Sequence, residues 1–158
     1  MIAKVILGLL AVLTVACAAS AQTVPLVTEE MMVKAADPGI DIFVRNKRPA
    51  SMTAFRPERT VLFVHGATYP AHTTFDMRLD GQSWMDYIAA RGYDVYFLDI
   101  RGYGKSTRPK EMSEEAQKNP PIVRGETAVK DIGSVVDFIL RAATSRASTC
   151  SPIRGARR

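Results

Sequence analysis

The run Val61-Leu62-Phe63-Val64, closed by His65-Gly66, constrains this chain more than any other feature. Four consecutive apolar β-formers without polar alternation suit a strand covered on both faces, as inside a parallel sheet. A second strand is predicted from Tyr93 to Ile100, ending in Asp99-Ile100-Arg101-Gly102. Between the two, Ser83 to Ala90 reads as a helix with Trp84, Tyr87 and Ile88 on one face and Gly92 as its stop. A further helix is predicted from Ala128 to Ala142, where Val129, Ile132, Val136, Ile139 and Leu140 recur at helical spacing and Asp131 lies in the first turn, favoured by the helix dipole. Strand, helix, strand, helix is the order of an α/β domain with a mostly parallel sheet.

The flanking segments are less regular. Gln22 to Glu30 reads as a loose arm, Asp37-Pro38-Gly39 as a turn, and Ile40-Asp41-Ile42-Phe43-Val44 as a half-exposed strand. Arg45 to Pro57 is polar, carries two prolines and reads as a loop, and Thr107 to Gly125 reads as a surface excursion. Before the domain, Lys4, an apolar run from Val5 to Ala16, and Ala19-Ser20-Ala21 have the form of an export signal cut before Gln22. The apolar run is short for a membrane span. A lipoprotein anchor at Cys17 is the rival reading, disfavoured by Thr14 three positions earlier. The expected division is a signal peptide at 1–21, the domain at 22–142, and a basic tail at 143–158, with a periplasmic or extracellular destination.

Once the leader is removed, Cys150 is the one cysteine left, so neither an internal disulfide nor a zinc site is expected, and no cofactor is. The net charge of +5 does not point to nucleic acid. Setting aside Arg141, Arg146, Arg154, Arg157 and Arg158 leaves the remaining bases and acids equal in number, so the basicity belongs to the C-terminal end and not to a face of the domain.

Two motif look-alikes fail. Gly102-Tyr103-Gly104-Lys105-Ser106 resembles the end of a phosphate loop, but Asp99 stands where the first glycine is required. Gly81-Gln82-Ser83-Trp84-Met85 begins like a nucleophile elbow, but its second glycine is Met85 and no buried strand precedes it, so Ser83 reads as a helix N-cap. His65-Gly66-Ala67-Thr68 is a stronger candidate, because it follows a buried strand at the carboxyl edge, where open α/β sheets place ligands. A glycine there admits a substrate to the backbone, and the following N–H groups can face a developing oxyanion. His65 itself has no nucleophile to serve, and His72 reads as a loop residue on the rim.

Together these segments resemble the α/β-hydrolase superfamily over roughly residues 36–141. Val61-Leu62-Phe63-Val64-His65-Gly66 looks like its strand with the HG oxyanion motif, and Asp99-Ile100-Arg101-Gly102-Tyr103-Gly104-Lys105-Ser106 looks like its D-x-R-G-x-G-x-S turn. The resemblance implies a partial α/β-hydrolase fold and an oxyanion-hole or substrate-binding role for Gly66, Ala67 and Thr68. It implies a mainly structural turn at 99–106 and small-molecule ester or amide substrates of the esterase, lipase or peptidase-like branches. Oligomeric state stays open.

The family's triad runs Ser, then Asp or Glu, then His. No serine here lies in G-x-S-x-G, and no acid or histidine follows Asp137. This polypeptide is therefore expected to be inactive, with Val61–Val64 and 95–98 as open, aggregation-prone edges. The tail reads as a frameshift product. With TCN serine and CGN arginine codons, a two-base shift turns Ser148, Cys150 and Ser151 into large apolar residues, and the stretch from Pro152 to Ala156 then admits small-x-Ser-x-Gly, an elbow where the topology requires one. The alternative from another class is a non-catalytic secreted protein whose arginine-rich tail binds an acidic partner.

Overall fold

The computed structural model describes residues 24–149; the leader with Cys17, Cys150 and the three arginines after it lie outside the described residues. Four strands form one mixed sheet: β1 (Leu26–Lys34), β2 (Asp41–Pro49), β3 (Thr60–Val64) and β4 (Asp94–Leu98), in the order β1-β2-β4-β3. β1 and β2 are an antiparallel hairpin from Leu26 opposite Pro49 to Lys34 opposite Asp41. β4 runs antiparallel to β2 and parallel to β3, which pairs from Thr60 opposite Asp94 to Val64 opposite Leu98. Three helices cover the faces: α1 (Ala71–Phe75), α2 (Trp84–Ala89) and α3 (Gly125–Thr149).

The period of two decides which side chain goes to which face. Ile42, Val44, Tyr96 and Leu98 point towards α3, where Val135 and Ile139 meet them. Phe43, Val95 and Phe97 point the other way, onto Ala71, Met85 and Ala89 of α1 and α2. β4 is flanked by strands on both sides and buried throughout, so the open edge expected at 95–98 does not exist. β3 is the strand left at the edge, and it is half-buried rather than covered on both faces, because it has one neighbour instead of two.

The hairpin takes residues 26–30 of the expected loose arm and 45–49 of the loop expected at 45–57, while 50–56 stay without strand or helix. Its polar residues are strand residues because each has a partner. Arg48 pairs with Glu29 at 2.6 Å across the hairpin, Arg45 with Glu30, and Asn46 donates to Asp94 at 2.6 Å. Gly39, at φ +77°, closes the turn expected at Asp37-Pro38-Gly39, and the Ala35 N–H donates to the Ile40 carbonyl.

In α2, Ser83 is the N-cap, as the sequence indicates: its Oγ accepts the Asp86 N–H at 3.0 Å while Asp86 accepts the Ser83 N–H, a reciprocal capping box. The buried face differs from the expected one. Met85 and Ala89 point inward, whereas Trp84 and Tyr87 are exposed, because Asp86 is drawn towards Lys47 and the i, i+4 pair beside it meets the sheet. α3 starts three residues before the expected Ala128 and passes position 142 without a break, since nothing between Ala143 and Thr149 is Gly or Pro. Val129, Val136 and Leu140 lie on its exposed side. Asp131 is fully buried on Arg101 and is not a first-turn dipole partner. Arg146 turns inward to Glu29 at 2.7 Å and lies over the Phe55 ring.

A buried ionic cluster ties the hairpin to α2. Lys47 bridges Asp76 at 2.5 Å and Asp86 at 2.6 Å, and Arg45 and Ser83 also donate to Asp76. Burial alone would raise both carboxyls, but the hydrogen bonds from Lys47, with those from Ser83 and Arg45 at Asp76 and from Ser83 and Arg78 at Asp86, outweigh it and hold both below the ordinary 3.8. A carboxyl lowered by folding stabilises the fold fully above its unfolded pKa, and that stabilisation is lost as pH falls through the lowered value. Acid unfolding followed by circular dichroism is therefore expected to begin below about pH 4. Lys47→Met should move its midpoint upward, and an unmoved midpoint would contradict this assignment.

Candidate functional site

The site is built where β3 and β4 end. His65 is buried at the end of β3, against the Tyr103 ring at 4.7 Å between centroids. Its Nε2 accepts the Ile100 N–H at 2.9 Å, which places the ring proton on Nδ1, and that proton is donated to the Gly66 carbonyl at 2.6 Å. Both nitrogens are occupied in joining the two strand ends, so His65 is a packed tie and not a base.

Gly66, Ala67 and Thr68 follow on the exposed rim. No atom lies within 4 Å of where a Gly66 side chain would start, so the approach to the backbone is open. Among the described residues, the N–H groups of Ala67 and Thr68 meet no protein acceptor. The loop is nevertheless held at two points: the Tyr103 hydroxyl donates to the Ala67 carbonyl at 2.7 Å, and Asp99 Oδ1 accepts the Ala71 N–H at 2.8 Å. Free donors on a fixed loop can meet an anion with little reorganisation.

The turn from Asp99 to Ser106 supplies this fixation. Asp99 is buried, and its Oδ2 accepts the Lys105 N–H at 3.1 Å. Ser106 Oγ accepts the Phe43 N–H at 2.7 Å and donates to the Asp99 carbonyl, locking the turn to β2. Arg101 grips Asp131 of α3 through Nε at 3.0 Å and Nη2 at 2.5 Å, and reaches Asp37 at 2.8 Å. Every polar side chain of the turn is thus committed to structure.

Gly66, Ala67 and Thr68 share one loop beside this turn. His72 does not join them. It lies in α1 and lines a charged groove with Arg45, Lys47 and Asp76. Ser83, the elbow look-alike, is buried with its hydroxyl bonded to Asp76 at 2.7 Å and is not available as a nucleophile. Tyr103 is the site residue the sequence reading left unassigned; an aromatic between two glycines signals a turn, and nothing in it indicates that the hydroxyl reaches residue 67. Tyr103 also lines a groove of about 430 Å³ with Met112, Pro120, Pro121 and Val123, built by the excursion at 107–125. No three His, Cys, Asp or Glu among the described residues are grouped to hold a metal ion.

No family model matches the chain, and no curated protein matches it. Solved structures do. The esterase Est22 superposes with a TM-score of 0.51 at 16% identity, over 77% of this chain and 32% of its own. An α-amino acid ester hydrolase superposes with a TM-score of 0.51 at 19% identity, over 77% of this chain and 20% of its own. The chain therefore has an α/β-hydrolase-like fold, in part, and spans about a third or less of the length of these neighbours.

Proposed function

We propose that this chain supplies the N-terminal portion of an exported serine hydrolase acting on small-molecule esters or amides, with Gly66, Ala67 and Thr68 as one side of its oxyanion hole. The observation that carries this assignment is the Ala67 N–H, exposed and without a protein acceptor among the described residues, on a loop pinned by Tyr103 and Asp99 at the carboxyl edge of the sheet. The groove that Tyr103 lines is proposed to take the substrate's acyl or alcohol group. Export rests on the leader pattern at 1–21.

The 158-residue polypeptide is proposed to be inactive by itself. It has no serine in an elbow context, its one look-alike is buried in a capping box, and a serine without a base is a weak nucleophile at neutral pH. The second N–H of such a hole comes from the residue after the nucleophile. The frameshift reading of the tail belongs to the same proposal and is tested at the gene. The nucleotide sequence beyond codon Arg141, read two bases out of phase, should continue open through small-x-Ser-x-Gly and a later Asp and His. Immediate closure of that frame would remove the hydrolase assignment and leave a non-catalytic exported protein.

A further inference from the structure

The backbone of Tyr103 is fixed on both sides. It stands between Gly102 and Gly104, whose φ of +84° and +48° lie in the left-handed region. Its N–H donates to the Ile100 carbonyl at 2.9 Å, and its own carbonyl accepts the Ser106 N–H at 3.0 Å. Ile100 in turn donates its N–H to His65 Nε2 at 2.9 Å, and the His65 and Tyr103 rings lie 4.7 Å apart between centroids. The two rings are thus one unit anchored by the turn at 99–106. Each of them holds one carbonyl of the loop after β3. His65 Nδ1 donates to the Gly66 carbonyl at 2.6 Å, and the Tyr103 hydroxyl donates to the Ala67 carbonyl at 2.7 Å.

Peptide planarity turns each of these bonds into control of a donor. In a trans peptide the C=O of one residue and the N–H of the next point in opposite directions, and the peptides of this loop are trans. Holding the Gly66 carbonyl therefore aims the Ala67 N–H away from His65. Holding the Ala67 carbonyl aims the Thr68 N–H away from the Tyr103 hydroxyl. We propose that Tyr103 is a positioning residue whose hydroxyl sets the direction of the Thr68 N–H, as His65 sets that of Ala67, so that the loop offers an anion two aimed donors. This rests on the oxyanion reading of residues 66–68. A donor already aimed costs no reorganisation when charge develops, which is where such a loop gains its effect. The two clamps differ in reach. His65 is buried and holds the carbonyl of its immediate neighbour, whereas Tyr103 is partly exposed and reaches across 36 positions of sequence. One oxygen atom of Tyr103 therefore governs Thr68, and its removal leaves the ring stack and the His65 clamp in place.

Nuclear magnetic resonance on the full chain and on Tyr103→Phe tests this. The variant keeps the ring against His65 and loses only the hydroxyl. The Ala67 carbonyl carbon and Thr68 amide nitrogen resonances are expected to move, while the Gly66 carbonyl carbon and Ala67 amide nitrogen stay in place and circular dichroism is unchanged. Methylphosphonate, a small oxyanion, probes the donors. In the unaltered chain both the Ala67 and the Thr68 amide protons should shift on titration. In Tyr103→Phe the Thr68 response should be lost and the dissociation constant should rise about 5-fold, the usual worth of one hydrogen bond. Tyr103→Leu, which also takes the ring from His65, should disturb Gly66 and Ala67 as well and weaken the probe further. Unmoved Ala67 and Thr68 resonances in Tyr103→Phe, changes spread evenly through the spectrum, or undiminished probe binding by this variant would each overturn the proposal. An unaltered chain whose Ala67 and Thr68 amides ignore the probe would instead overturn the oxyanion reading beneath it, with the clamp itself still judged by the carbon and nitrogen resonances.

Discussion

Replacing Asp131 by alanine is expected to destabilise the domain by about 3–5 kcal/mol, the usual cost of leaving a buried charge without its partner. Asp131 has no solvent-exposed surface, and the Arg101 side chain is 8% exposed, so water cannot take the place of the lost carboxylate. Arg101 would keep Asp37, but that carboxylate is at the surface and weaker. Asp131 also accepts the Arg101 backbone N–H at 3.1 Å, which would be orphaned by the same change. A loss of this size is a large share of the roughly 5–15 kcal/mol that holds a typical domain folded. The double variant Arg101→Met with Asp131→Leu removes both charges and is expected to be close to neutral. Urea unfolding of the three proteins measures this. A change below about 1 kcal/mol in Asp131→Ala would mean that the pair is no more than a surface ion pair.

Gly104→Ala is expected to cost roughly 3–5 kcal/mol, well beyond the 1–2 kcal/mol of a left-handed residue alone. Gly104 has φ +48°, and a Cβ there would lie 1.9 Å from Asp99 Oδ2 and 2.5 Å from its Cγ. Asp99 cannot yield cheaply, because it is buried and holds the Ala71 and Lys105 N–H groups. Displacing it orphans both and frees the start of α1, and with it the loop carrying Ala67. Gly39→Ala is the control. It has a similar backbone, at φ +77°, and nothing within 4 Å of the added atom, so it carries the strain without the collision. Equal losses in the two variants would show that Gly104 serves only backbone conformation.

The elements legible in the sequence are those whose signal is local. β4 and the capped start of α2 follow from β-forming runs and from Ser83 with Asp86 three positions on. What escaped depends on distant partners. Arg45, Asn46, Lys47 and Arg48 read as loop because a polar run gives no strand signal, and they become strand because Glu29, Glu30, Asp76, Asp86 and Asp94 are brought to them from elsewhere in the chain. The same reason misassigned the faces of α2 and α3. Periodicity alone put Trp84 and Val129 on the inward faces and left Met85 and Val135 off them, and the position of the sheet decides between them. For the site, the loop at Gly66 was visible as a motif, while the means of holding it, the Tyr103 hydroxyl, was not.

The proposal of a hydrolase-like scaffold whose loop at Gly66, Ala67 and Thr68 faces an anion, with no elbow serine among the described residues, is open to direct test. Its most direct test is to incubate the purified chain with short-chain aryl esters and, in parallel, with a fluorophosphonate probe. The expected result is turnover no faster than the buffer and no covalent labelling at any serine, Ser83 included. Ester turnover abolished by the probe, with the label mapped to one serine, would contradict the account.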